Sequence, residues 1–136
     1  MAVSSNSISS LQGIQTAQAT CTAAKITYGD NVNAVLLLTA GANGGVLFGL
    51  KGIAKGTTGA AGRLDIFSSL NGTALTLLNA VNFASYAQST TTAPVQNDAG
   101  YSESAPRRLA PLEQIWVSTS IAATAGYAVD AQYENA

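Results

Sequence analysis

The chain has 136 residues, 47% of them hydrophobic and only 10% charged, with a net charge of −1. An average globular protein carries roughly 25% charged residues, so this surface is either polar and uncharged or covered by partner subunits. The balance offers no basic field for nucleic acid or an anionic membrane, and the lack of histidine removes Ser-His-Asp and Cys-His catalysis and all His-ligated metal sites.

Residues 1–18, MAVSSNSISSLQGIQTAQ, are polar and low in complexity, and read as an N-terminal arm before a single domain over 19–136. Ile8, Leu11 and Ile14 recur at spacing three, the pattern of one amphipathic helical turn. They are the arm's candidate contacts with a partner or a second copy. No basic segment followed by an apolar one appears here, so no secretion signal is expected. The single cysteine, Cys21, offers no intrachain disulfide and reads as a small buried hydrophobe.

From residue 20 the period becomes two. TCTAAKITYG (20–29) predicts a strand ending at the Gly29-Asp30 turn. NAVLLLTAG (33–41) is a continuous apolar run and predicts a strand buried on both faces. ANGG (42–45) predicts a tight hairpin turn, and VLFGLKGIAKG (46–56) a strand whose glycines mark a bulge or a close backbone approach. The glycines also interrupt this apolar stretch too often for a membrane-spanning helix. RLDIFSSL (63–70), Asn71-Gly72 and TALTLLNAVNF (73–83) predict a hairpin.

Residues 84–105 form a long polar loop, of the kind that is functional or ordered by a partner. PRRLAPLEQIWVSTSIA (106–122) predicts a strand with Ile115, Val117, Thr119 and Ile121 on one face. YAVDAQYEN (127–135) predicts the last strand, with Tyr127, Val129, Ala131 and Tyr133 on one face. Seven or eight strands with turn signals between them, and no long helical period, predict an all-β antiparallel sandwich of jelly-roll type with a polar N-terminal arm.

Chemical signals are weak throughout. GIAKGTTG (52–59) lacks the glycine spacing of a phosphate loop. The seven carboxylates read as solvated or paired across strands, not as a glycosidase pair, and Asn97, Asp98 and Glu103 are a thin basis for calcium. Asn71-Gly72-Thr73 matches a glycosylation sequon, which the turn already explains. No cofactor or metal is expected. Arg107 and Arg108, beside Pro106 and Pro111, read as a guarded strand edge or as a salt-bridging patch for an acidic partner. Trp116 reads as a core or subunit-interface anchor, and the alternative of a sugar-binding platform falls on Trp116, Tyr86 or Tyr101.

Three segments carry a resemblance: LTAGANGG (38–45), GRLDIFSSLNGTALTLLNAV (62–81) and YSESAPRRLAPLEQIWVSTSIAATAGYAVDAQYEN (101–135). Tyr101, Pro106, Arg108 and Leu109 fit the pattern Y-x-x-x-x-P-x-R-L. Ile115, Trp116, Val117 and Ser118 fit a strand of the form x-I-W-V-S, and Ala131 and Tyr133 fit the closing A-x-Y-x-x. Over residues 35–135 the chain resembles a family of small tailed-bacteriophage virion proteins. It departs from them at LAPLEQ (109–114), where the family pattern has a glycine turn, L-x-A-G-D.

The resemblance implies a non-enzymatic capsid decoration (cement) protein. It would assemble with itself, as a homotrimer, and with the major capsid protein on the virion surface after synthesis in the host cytoplasm. The alternatives are a head-fibre or tail-associated virion protein and a carbohydrate-binding sandwich. Tyr101, Arg107, Arg108 and Trp116 join the arm residues as candidate contacts.

Overall fold

The computed structural model describes residues 13–136. Nine strands are present among them: β1 (Ile14–Cys21), β2 (Val35–Thr39), β3 (Gly45–Ala54), β4 (Gly62–Ser69), β5 (Thr76–Phe83), β6 (Asn97–Asp98), β7 (Arg107–Leu109), β8 (Gln114–Thr119) and β9 (Tyr127–Asn135). They form two antiparallel sheets. Sheet A runs β1, β9, β3, with β6 and β7 pairing different parts of the far edge of β3. Sheet B runs β2, β8, β4, β5. The expected β-sandwich is what the chain forms. No helix among the described residues is long and apolar enough to cross a membrane.

The inward faces follow the period of two. Leu64 and Ile66 of β4 and Ile115 and Val117 of β8 meet Leu47 and Leu50 of β3 and Val129 and Ala131 of β9, all buried. Burying one such aliphatic side chain contributes roughly 1.5–3 kcal/mol, so this shared layer is the main source of stability. Tyr127 is buried among them and stacks on Phe83, with centroids 4.6 Å apart. Gly52 makes room for it, since a Cβ there would enter the Tyr127 ring.

Several sequence expectations are corrected. The arm does not extend to residue 18: Ile14–Cys21 is a strand paired residue for residue with β9, and Ile14 lies in it rather than in a helical turn. Its pattern is inverted in size. Ala17 and Ala19 pack on the core, while Ile14 points outward at 61% exposure. Ile8 and Leu11 lie outside the described residues.

The strand expected at 20–29 stops at Cys21, and residues 22–34 cross the outer face of sheet B instead. Lys25, 1% exposed, fixes that path. Its backbone N–H donates to Thr119 O, and its Nζ donates to Asp30 Oδ1 and Val32 O.

β2 is an edge strand with a bulge between Leu36 and Leu38, not a strand buried on both faces. Leu37 and Leu38 are buried, while Leu36 is 42% exposed. The ANGG turn forms, with Gly44 N–H donating to Gly41 O, yet it joins strands of opposite sheets and makes no hairpin ladder. Asn71-Gly72 does turn a true hairpin, β4 to β5.

The strand expected over 106–122 breaks into β7 and β8, one in each sheet. At the break, Leu112 takes φ 60°, the left-handed conformation that favours glycine.

The 84–105 loop is ordered by its own domain. The Thr58–Tyr86 bridge ties it to the segment between β3 and β4, Asn97 Nδ2 donates to Tyr127 Oη at 2.9 Å, and Ala99 N–H donates to Leu50 O. Asn79 Nδ2 holds Ala99 O from the sheet B side.

Candidate interaction surfaces

Several of the reactive groups are buried or held in structure. Burial pushes the Cys21 thiol up to about 12, which leaves almost no thiolate at neutral pH. Asp65 is fully buried and takes a two-point ion pair from Arg63, at 2.6 and 3.3 Å. Burial raises its carboxyl more than the Arg63 contact lowers it. Glu113, also buried, accepts from Ser68 Oγ, Arg107 Nη2 and Ala110 N–H. Asn97 and Asp98 are committed to Tyr127 and to Gly100 N–H. Among the described residues, no group of three metal-ligating side chains is placed to hold an ion.

The two outer faces differ in chemistry. On sheet B the register puts Leu36 opposite Trp116, Trp116 opposite Phe67, and Phe67 opposite Leu77, so the four form one row across all four strands. Leu36 and Leu77 are 42% and 41% exposed. Trp116 is half-buried, with its indole N–H donating to Gln114 Oε1. Phe67 is covered by the 22–34 crossing: Tyr28 packs on it at 6.1 Å and the Lys25 ammonium sits 5.8 Å from its centroid. Ile26 and Val32 stand exposed on the same crossing segment. The nearby charges are matched internally, Lys25 with Asp30 and Arg63 with Asp65.

On sheet A the outer row is polar. Gln18, Asp130, Lys51 and Asp98 are successive cross-strand neighbours on β1, β9, β3 and β6. Three depressions along β3 share residues: Lys51 and Asp130 join the first two, and Phe48 and Glu103 the last two.

The sequence-predicted residues divide between these surfaces. Trp116 lies in the apolar row, and Tyr101 lines the trough beside β3. Arg107 does not form a patch with Arg108: it turns in to Glu113, 3.1 Å away, while Arg108 is exposed on β7. Ile14 is exposed on β1, opposite Glu134 of β9, which lines the third depression. Sequence reasoning missed Leu36, Leu77 and Phe48. Leu36 and Phe48 sit at β-bulges, which shift the period without a sequence mark.

No family model, curated protein or solved structure matches this chain.

Proposed function

We propose that this protein is a non-enzymatic structural module of a bacteriophage virion, a capsid decoration protein that self-associates and holds neighbouring shell subunits together. The observation that carries this reading is the outer face of sheet B, where Leu36, Trp116 and Leu77 flank Phe67 and where Ile26 and Val32 stand exposed on the crossing segment that covers Phe67. Its occupant is a second copy of this chain. The two ion pairs beside these residues, Lys25 with Asp30 and Arg63 with Asp65, are closed within the chain, so covering the face strands none of these four charges. A net charge of −1 puts little repulsion between copies. An oligomer then presents several identical contacts to the shell, and weak contacts add through effective concentration. The phage assignment rests on the resemblance over residues 35–135.

Two measurements test it. Sedimentation equilibrium should give an oligomer, expected to be a trimer, that Leu36→Asp with Leu77→Asp converts to monomer. Co-sedimentation with undecorated phage heads should then give saturable binding at high copy number. A monomer at micromolar concentration that ignores heads refutes the reading, and saturation at a few copies moves the protein to a head fibre or the tail.

A further inference from the structure

The outer face of sheet A carries three adjoining depressions along β3, from Val46 to Lys55, which together form a trough. At about 3.3 Å per residue its length is roughly 30 Å. One end, about 480 Å³, is lined by Gln18 and Thr20 of β1 and by Lys51, Lys55 and Gln96. The middle part, about 280 Å³, lies between Phe48 and Tyr101, with Asp98, Asp130 and Gln132 around it.

Two features build this trough rather than leave it to chance. A bulge between Leu47 and Gly49 adds Phe48 to β3 while Leu47 and Leu50 stay buried, and Phe48 lines the depressions on the outer face. Bulges re-aim single side chains in this way. The opposite wall is pinned at two points, Asn97 to Tyr127 and Ala99 to Leu50, and is braced internally where Gly100 N–H donates to Asp98. Among the described residues, the side chains of Lys51, Lys55, Gln96, Gln132, Glu103 and Tyr101 make no hydrogen bond or ion pair within the chain. Free donors and acceptors therefore stand on a fixed floor.

We infer that this trough binds an extended neutral polysaccharide chain. The aromatic faces of Phe48 and Tyr101 suit the C–H faces of pyranose rings. The amides, carboxylates and ammonium groups suit pairs of hydroxyls, which both donate and accept. The lining carries four carboxylates (Asp98, Glu103, Asp130, Glu134) against two lysines (Lys51, Lys55), a balance of −2 that repels nucleic acid and acidic glycans. An extended peptide would bind by adding to a free strand edge, and β3 offers no free run longer than three residues beneath the trough: β9 pairs one edge, and β7 and β6 pair the other at Gly45–Leu47 and Lys51–Gly52. The inference is independent of the virion reading, because it concerns the opposite face and the isolated protein.

Affinity electrophoresis tests it, with gels containing dextran, laminarin, xyloglucan or galactomannan, and with heparin as the anionic comparison. The expected result is retardation by at least one neutral polymer and none by heparin. Tyr101→Ala and Phe48→Ala should weaken retardation roughly ten-fold, and Lys51→Ala and Gln132→Ala should also reduce it. The last two side chains are exposed, so they carry the test if an aromatic variant fails to fold. Migration unchanged in every neutral gel overturns the inference. So does retention by heparin or by an immobilised peptide digest in place of the neutral polymers, and so does retardation that all four variants preserve.

Discussion

Replacing Glu113 tests whether one buried carboxylate locks the corner between β7 and β8. Glu113 is 4% exposed, and it accepts from Ser68 Oγ at 2.8 Å, Ala110 N–H at 2.9 Å and Arg107 Nη2 at 3.1 Å. Its own carbonyl accepts from Ala40 N–H, so the residue ties β2, β4 and β7 together. Removing one partner of a buried ion pair costs roughly 3–5 kcal/mol. The Arg107 side chain is 33% exposed, so water takes up part of its freed charge, and the discounted cost of Glu113→Ala is about 3 kcal/mol. Arg107 Nε is already buried without a partner, which keeps that relief incomplete. Whole-domain stability at this length is on the order of 7–20 kcal/mol, so the variant folds, with Tm lower by about 10 °C.

Acid should erode the same contribution. Burial pushes the Glu113 carboxyl up, but the hydrogen bonds from Ala110, Ser68 and Arg107, with the Arg107 charge, together hold it below the ordinary value. A carboxylate depressed in the folded state stabilises fully above its unfolded pKa and loses that contribution as pH falls through the folded value. Asp65 has the opposite sign: burial raises its carboxyl, so its contribution is present at low pH and lost as pH rises through its folded value. Urea unfolding followed by Trp116 fluorescence, at about pH 7 and about pH 3, measures the effect in wild type, Glu113→Ala and Glu113→Gln. The alanine penalty should be full at neutral pH and smaller in acid, with glutamine in between. A penalty under about 1 kcal/mol at neutral pH, or one that acid leaves unchanged, refutes the reasoning.

Three further outcomes are expected. Leu112→Gly should stabilise the protein by about 0.5 kcal/mol in urea, because relief of the left-handed strain exceeds the entropy that glycine adds to the unfolded chain; a less stable glycine variant would show that no strain is stored there. Gly52→Ala should cost about 2–3 kcal/mol by driving a methyl into the Tyr127 ring, and a near-neutral result would mean that the ring has room to move. Cys21 should resist an aromatic disulfide reagent at mildly alkaline pH until urea unfolds the chain, and prompt labelling of the native protein would contradict its burial.

The sequence is legible where side-chain size and period agree. Leu64, Ile66, Ile115 and Val117 alternate with polar or outward neighbours, and the Asn71-Gly72 turn between β4 and β5 announces itself through Asn71 Oδ1, which accepts from Thr73 and Ala74 N–H. It is illegible where a fixed period is broken or inverted. Ala17 and Ala19 are the β1 residues that pack on the core, and alanines among Gln and Thr carry little apolar signal, so a true strand looks like a polar tail. Ala24, Ile26 and Tyr28 alternate like a strand, but Lys25 is the residue that goes inward, drawn by Asp30 and Val32 O, which local pattern does not reveal. The candidate site was visible only in Tyr101 and Trp116. Their neighbours Phe48 and Leu36 depend on bulges, and their placement on opposite faces depends on the chain changing sheets between β7 and β8.

That opposition couples the two proposed surfaces in a measurable way. If sheet B faces are buried between copies, the troughs on sheet A remain open and are displayed together on one particle. Linked sites gain effective concentration when a ligand spans them, up to roughly 10²–10⁴ over a single site, and gain nothing when it does not. The monomeric variant Leu36→Asp with Leu77→Asp should therefore bind a short soluble oligosaccharide as tightly as the oligomer does. It should bind a surface coated with the same polysaccharide far more weakly. Surface plasmon resonance, with short chains in solution and long chains on the chip, separates the two quantities. Equal loss in both formats would mean that the row on sheet B contributes directly to sugar binding, and equal retention in both would mean that the copies do not display their troughs to a common surface.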